Sequence, residues 1–99
     1  MTEYDIVNRD NIYYVEGEID VSNCNEFKEN LYQVVDSTEG DMVLNFKELK
    51  YIDSAGLGIL VGTYKRLKEL ERKLSIYDCS DNIKKLFYIT RLNTLIDVM

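Results

Sequence analysis

Asp53-Ser54-Ala55-Gly56-Leu57-Gly58 is the segment of this chain best suited to chemistry. It sets a carboxylate, a hydroxyl and two glycines in the loop after a buried strand, where a helical pattern begins. Ser54 can cap that helix, its oxygen accepting from a free backbone N–H of the first turn. Gly56 and Gly58 leave out side chains at the helix start, which lets another surface approach the backbone closely. Glycine in a first helical turn also lowers helix propensity, so something other than stability favours it there. A phosphate cradle asks for more. Neither Gly-x-Gly-x-x-Gly nor Gly-x-x-x-x-Gly-Lys is present, so the loop is a weak nucleotide signal. Taken alone, a serine cap with glycines packed on a sheet accounts for the same residues without any function.

Other residue types narrow the chemistry further. The chain holds no histidine, which removes Ser-His and Cys-His nucleophile pairs and most transition-metal sites. Asp20 and Asp53 could come close together, but two carboxylates on a small surface are ordinarily just solvated. No catalytic residue, metal ligand or cofactor is expected, and the chain does not read as an enzyme. Cys24 and Cys79 stand far apart in no paired motif, which suggests a reducing compartment and ordinary buried or half-buried thiols. The eight tyrosines are spread over every element, as core edges and surface rather than as a binding box.

The elements that position the segment must fit within 99 residues, the size of one compact domain spanning 1–99 with a modest stability margin. A composition of 45% hydrophobic and 30% charged residues is that of a soluble globular protein. The net charge of −6 argues against non-specific nucleic-acid binding, which needs a basic face. Lys65-Arg66-Leu67-Lys68 is the one basic run, and with Glu69 and Glu71 beside it reads as the charged face of a helix. There is no proline and little glycine, so no stretch reads as a linker, and order is expected except for a few residues at each end. Met1 to Asp5 carry no signal-peptide pattern. No apolar run approaches the roughly 20 residues that span a bilayer. A cytoplasmic protein without a membrane partner is expected, monomeric when alone.

Loose alternation over Tyr4 to Val7 and over Ile12, Tyr14 and Glu16 predicts two strands. Asn8-Arg9-Asp10-Asn11 supplies turn chemistry between them, so the pair reads as an antiparallel hairpin closed by Gly17 to Asp20. Phe27, Leu31, Val34 and Val35 recur at helical spacing behind Ser22 or Asn23 as cap. Met42 to Phe46 is a short apolar run, as in a strand buried on both faces. Beyond Ser54, Leu57, Leu60, Tyr64 and Leu67 share one helical face, with Lys65, Arg66, Lys68, Glu69 and Arg72 mostly on the other. Leu74 to Asp78 predicts a strand. Ser80 or Asp81 caps a third helix carrying Ile83, Leu86, Phe87 and Ile89, and Leu95 to Val98 reads as a last strand. The order β-β-α-β-α-β-α-β implies a mixed α/β sheet, antiparallel in its opening hairpin and then mostly parallel, with right-handed crossovers.

Leu44-Asn45-Phe46, Leu49 and Tyr51-Ile52-Asp53-Ser54-Ala55-Gly56-Leu57-Gly58 together resemble the signature of STAS domains of the anti-sigma-factor antagonist family. Ile59 to Lys65 is similar to the family's second helix, and Gly17-Glu18-Ile19-Asp20 to its Gly-Glu-Leu-Asp turn. Ile83-Lys84-Lys85-Leu86-Phe87 resembles the helix before its last strand. The resemblance covers nearly the whole chain in order and spacing.

What it implies is a STAS-like mixed sheet with helices packed mainly on one side, and a regulatory serine at the start of the second helix. In the family, an anti-sigma factor that is itself a serine kinase of the GHKL ATPase type phosphorylates that serine. The unmodified antagonist binds the kinase and frees the sigma factor; the phosphorylated form lets go, and a PP2C-type phosphatase resets it. Carried over by position, Ser54 is the acceptor. Asp20, Asp53, Ser54, Ala55, Gly56, Leu57 and Gly58 form the partner contact, with the docking surface expected around Ala55 and Leu57. The alternative within the fold is a non-phosphorylated STAS scaffold or adaptor. One departure concerns the turn after the third helix. Arg91-Leu92 stands where relatives often have Gly-Leu, and an arginine takes left-handed backbone angles only at a cost.

Overall fold

The computed structural model describes residues 3–99; Met1 and Thr2, at the end expected to be less ordered, lie outside the described residues. Strand β1 (Tyr4–Arg9) turns back on β2 (Ile12–Ile19) as the predicted antiparallel hairpin, with Arg9 opposite Ile12. The two-residue turn is Asp10-Asn11, with φ of 54° and 66°. Two positive φ values are what a turn matching the natural twist of a hairpin requires, and Asp and Asn tolerate them better than most residues. The Asn11 amide also donates to Asn8 Oδ1 at 3.1 Å.

From the hairpin the chain runs through α1 (Cys24–Ser37), β3 (Met42–Asn45), β4 (Leu49–Ile52), α2 (Ser54–Glu69), β5 (Leu74–Tyr77) and α3 (Asp81–Ile89). A 3-10 turn (Leu92–Thr94) and β6 (Asp97–Val98) complete it. The sheet order is β1-β2-β3-β5-β6, and every pairing after the hairpin is parallel. One strand was not expected. Leu49-Lys50-Tyr51-Ile52 pairs with β2 rather than forming a loop. The first half of β2 (Ile12–Tyr14) pairs with β3, while Gly17, Glu18 and Ile19 pair with β4 across an irregularity at Gly17/Glu18. Gly17 fits this place alone among residue types: its φ is +91°, and a Cβ there would lie 2.4 Å from the Glu3 carbonyl oxygen, too close for any side chain.

Alternation decides which face is buried. Val15 and Ile19 of β2, Met42 and Leu44 of β3, and Leu74 and Ile76 of β5 point into one core. Phe27, Leu31 and Val35 of α1, Leu57, Leu60 and Leu67 of α2, and Ile83 and Phe87 of α3 fill it from the other side. All three helices therefore share one face of the sheet, in agreement with the expected architecture. Ile89 departs from its predicted place on the apolar face and is exposed, because six positions beyond Ile83 the helical turn carries it away from the face of Ile83 and Phe87.

Two arginines lock α1 to α2 and to the turn beyond it. Arg66 of α2 meets Asp36 with both ends of its fork, at 3.0 and 3.3 Å, and its guanidinium stacks 4.7 Å from the Tyr32 ring centre. That hydrogen bond to Asp36 pushes the guanidinium's pKa further up. Lys68 lies over Tyr64, so two of the three basic residues between Lys65 and Lys68 are engaged within the fold. Arg72 was expected on the polar face of α2, but the helix stops at Glu69. Arg72 instead reaches the end of α1, donating to the Val35 carbonyl at 2.8 Å, to Thr38 Oγ1 at 2.9 Å and to the Gly40 carbonyl. It satisfies carbonyls that a helix end leaves open.

The chain leaves both α2 and α3 through a left-handed residue that is not glycine. The amides of Arg72 and Glu71 bond back to the carbonyls of Leu67 and Lys68, at 2.9 and 3.0 Å, the double closure that ends many helices. Glu71 holds the left-handed position at φ 58° and Arg91 does so after α3 at 61°. The turn at Arg91 therefore keeps the geometry that a glycine would take, where a local difference had been expected, and only the residue changes. The last strand is also shorter than expected. Leu95 and Ile96 stand outside it, because the 3-10 turn occupies the preceding residues and the Ile96 amide bonds to Leu92. Glu71→Gly and Arg91→Gly should each stabilise the protein by about 0.5–1 kcal/mol, the steric relief less the flexibility gained in the unfolded chain. Urea unfolding should show a higher midpoint at unchanged slope.

Candidate functional site

Two loops meet at the end of the sheet where β2 and β4 finish. One is Asp20 to Asn23, between β2 and α1; the other is Asp53, the single residue between β4 and α2. Asp53 has extended angles and accepts from the Gly56 amide through Oδ1 at 3.0 Å. Its Oδ2 accepts from the Val21 amide at 3.1 Å, and its own amide donates to the Ile19 carbonyl at 3.2 Å. One carboxylate thus caps α2 and fastens the neighbouring loop to it.

This corrects the role given to Ser54. The cap is Asp53, and Ser54 is the first residue of the helix. Both residue types cap well, so local sequence does not choose between them. The distant Val21 amide decides, since the carboxylate has a second oxygen with which to take it. Ser54 is left exposed, and among the described residues its hydroxyl has no hydrogen-bond partner.

The glycines divide in the same way. A Cβ on Gly56 would lie 2.6 Å from Ile52 Cγ1 and 2.9 Å from Ile19 Cγ2. Gly56 is therefore buried against the sheet and does not open the backbone to an outside surface. Gly62, farther along α2, lies under the Tyr32 hydroxyl. Gly58 is different: it is exposed, and a Cβ there would meet nothing within 4 Å. Leu57 was expected at an exposed docking surface but is only 6% exposed, because its helical spacing with Leu60 turns it into the core. Ala55 is half-buried. The outward surface here is Ser54, Gly58 and part of Ala55.

Asp20 contributes from the first loop. Its Oδ1 accepts from the Ser22 amide at 2.8 Å and from the Ser22 hydroxyl at 2.5 Å. Asn23 stands at the cap position of α1 but makes no side-chain cap bond. It turns back instead, accepting from the Asp20 amide at 3.0 Å and donating to the Glu18 carbonyl at 2.9 Å. The fold therefore brings Asp20 and Asp53 to adjoining loops, both engaged in holding backbone. Between them stands Val21, 76% exposed, a residue the sequence did not single out. An apolar, β-branched side chain inside an Asp-x-Ser-Asn turn was the available signal, since such turns favour small polar residues.

Elsewhere the described residues hold no group of acidic, histidine or cysteine side chains able to bind a metal ion. No helix among them is long and apolar enough to cross a membrane. Cys24 and Cys79 are both free and half-buried. Burial pushes the Cys79 thiol up to about 11, so it is protonated and a poor nucleophile at neutral pH.

A six-stranded mixed sheet covered on one face, with a serine opening its second helix, is the STAS architecture. The sequence pattern of the STAS domain matches residues 2–99, and the chain belongs to that family. An anti-sigma-B factor antagonist of Staphylococcus aureus is 38% identical over 92 residues, covering 91% of this chain and 85% of the relative. Its counterpart in Listeria monocytogenes is 36% identical over 86 residues, covering 86% of this chain and 75% of that one. Among solved structures, an anti-sigma factor antagonist from Mycobacterium paratuberculosis superposes with a TM-score of 0.81 at 20% identity, over 99% of this chain and 85% of that one. The Bacillus cell fate determinant SpoIIAA in its phosphorylated form gives 0.67 at 18% identity, over 100% and 91%.

The assignment of the cap carries a sharp expectation. Asp53→Ala removes both the cap and the bond to Val21 and should cost about 1–2 kcal/mol, whereas Ser54→Ala should stay within about 0.5 kcal/mol of the parent. Denaturant unfolding of the two variants checks this; equal losses, or a larger loss at Ser54, would return the capping role to the serine.

Proposed function

We propose that this protein is an anti-sigma-factor antagonist whose binding is switched by phosphorylation of Ser54. Unmodified, it binds an anti-sigma factor that is a serine kinase of the GHKL ATPase type and so releases a sigma factor. Phosphorylated, it lets the kinase go until a PP2C-type phosphatase resets it. The observation that carries this reading is the state of Ser54: an exposed hydroxyl on the first residue of a helix, without a hydrogen-bond partner among the described residues because Asp53 does the capping. A kinase can take such a hydroxyl without breaking anything in the fold. Membership of the family and the names of the relatives support the reading.

The physics of the switch lies in the site. Phosphate adds about −1.5 to −2 charge next to Asp53. Within the free protein a helix N-terminus favours an anion, and first-turn amides beyond the one Asp53 caps remain available to it. At an interface matched to a neutral hydroxyl, the same group brings bulk, repulsion and loss of hydration. A penalty of about 3 kcal/mol already weakens binding more than a hundredfold. The switch is then local and electrostatic, with no refolding. Asp53, Ala55 and Gly58 lie within about one helical turn of Ser54, and Asp20 lies in the loop that Asp53 ties to α2. The buried Gly56 and Leu57 act from beneath by fixing where the helix begins.

Gly58 supports the same interface. Nothing among the described residues requires a glycine there, yet in a helix it costs about 1 kcal/mol relative to alanine. Close approach of a partner backbone would account for it. Gly58→Ala should therefore raise stability by about 0.5–1 kcal/mol while weakening kinase binding. Unchanged binding would remove Gly58 from the interface.

The reading itself is tested by using Ser54→Ala and Ser54→Asp variants as baits in lysate of the source organism. Ser54→Ala should retain an ATPase-type kinase, identified by mass spectrometry, that Ser54→Asp does not, and the purified kinase should phosphorylate the parent at Ser54. Equal retention by both variants, or no kinase on either, would make the domain a constitutive scaffold. Backbone chemical shifts should change on phosphorylation only around Ser54 and the Asp20–Asn23 loop; widespread shifts would contradict a local switch.

A further inference from the structure

We infer that Val21 is a second anchor of the partner interface, an apolar side chain presented beside Ser54 that seats in an apolar socket on the kinase. The inference rests on the proposed function and extends it to a residue outside the Asp53–Gly58 segment. Three observations lead to it.

The first is exposure without a structural return. Among the described residues only Val21 and Ile89 combine a large apolar side chain with more than three-quarters exposure, at 76% and 77%. Ile89 ends α3, whereas Val21 sits directly against the loop that starts α2. Its isopropyl group takes no part in the core, and its place in the turn does not favour a β-branched residue.

The second is rigidity. Asp53 Oδ2 holds the Val21 amide, Asp20 holds the amide and hydroxyl of Ser22, and Asn23 ties the Asp20 amide to the Glu18 carbonyl. The Val21 carbonyl accepts from Cys24 Sγ at 3.6 Å. Side chains of Asn23, Asp53 and Asp20 hold the amides of Asp20, Val21 and Ser22 in turn, and the one apolar side chain of the turn is left outward. A side chain held in place before binding loses little freedom when a partner covers it.

The third is register. Asp53 bonds to Val21 through one oxygen and to the first turn of α2 through the other. The valine and the Ser54 hydroxyl are thus set in fixed relation by one carboxylate, and a surface that receives one meets the other. This gives the phosphate switch its steepness. An apolar socket beside the hydroxyl excludes water, and a dianion brought there loses hydration that nothing replaces.

The test uses the full chain and the kinase retained by Ser54→Ala, purified and titrated by calorimetry. Val21→Ala should weaken binding about tenfold, the scale of a well-packed apolar anchor. Val21→Asp should weaken it a hundredfold or more. Leu70→Ala removes another exposed apolar side chain, at the far end of α2, and should leave the affinity unchanged. Melting temperatures of all three should match the parent, which separates an interface effect from a folding one. If Val21→Asp binds the kinase like the parent, the inference is overturned and the reading of Ser54 stands. If Val21→Asp and Leu70→Ala weaken binding equally, the valine is no anchor. If Ser54→Ala retains no kinase, the functional reading fails and this inference falls with it.

Discussion

Everything at the candidate site depends on how β2 divides its parallel edge. Its first half takes β3 and its second half takes β4, and the change of partner occurs where Gly17 adopts an angle closed to other residues. Without that division the chain leaving β3 would have no strand to bring it alongside the end of β2. Asp53 could then not reach the Val21 amide. The bond between two loops is a consequence of a change of partner several residues earlier, and the exposed serine is a consequence of that bond. A backbone constraint in the sheet is thereby converted into a side-chain arrangement on the surface.

The division of labour among neighbouring residues comes from the same geometry. Asp53 and Ser54 are adjacent, and one of them had to satisfy the open amides of α2. Because the aspartate does so, the serine is spared, and a group added to it removes no bond that the fold uses. Gly56 and Gly58 show a parallel split, one required by the isoleucines beneath it and the other by nothing among the described residues. Residues that hold the site and residues that face outward alternate along a single turn of helix. Because these two sets do not overlap, a group added to Ser54 would alter the outward surface while leaving intact the bonds that Asp53 makes within the fold.

Much of this architecture was legible in the sequence, for a reason that also explains what was not. The hairpin, the three helices and the central strands are set by apolar spacing, and spacing is fixed by local chain geometry. Leu49 to Ile52 carried no such signal, since its apolar ends are three apart with Lys50 and an exposed Tyr51 between them; only β2 makes it a strand. The capping residue was misread because two good caps stood side by side and a partner 32 positions away decided between them. Leu57 was read both as part of the helix's apolar face and as surface, and the core claimed it. The end of α2 was missed because Glu71, not a glycine, takes the left-handed position. Arg72 was accordingly counted as helical when it serves to close α1. At the strand, the cap and Leu57 the local chemistry left the outcome open and a long-range contact selected it, whereas the end of α2 was set locally by a residue type that rarely takes that conformation.

The direction of the strands has a bearing on how the protein can be joined to other things. β1 begins opposite Gly17, at the end of the sheet where β2 finishes, and β6 runs parallel to β5 and finishes toward that same end. Both ends of the described chain therefore leave on the side that carries Ser54. A purification handle, fluorescent reporter or fused domain attached to either would crowd the surface around Ser54. The opposite pole, with its two-residue turn at Asp10-Asn11 and the open bend at Gly40, is the natural place for a graft that leaves the working end clear.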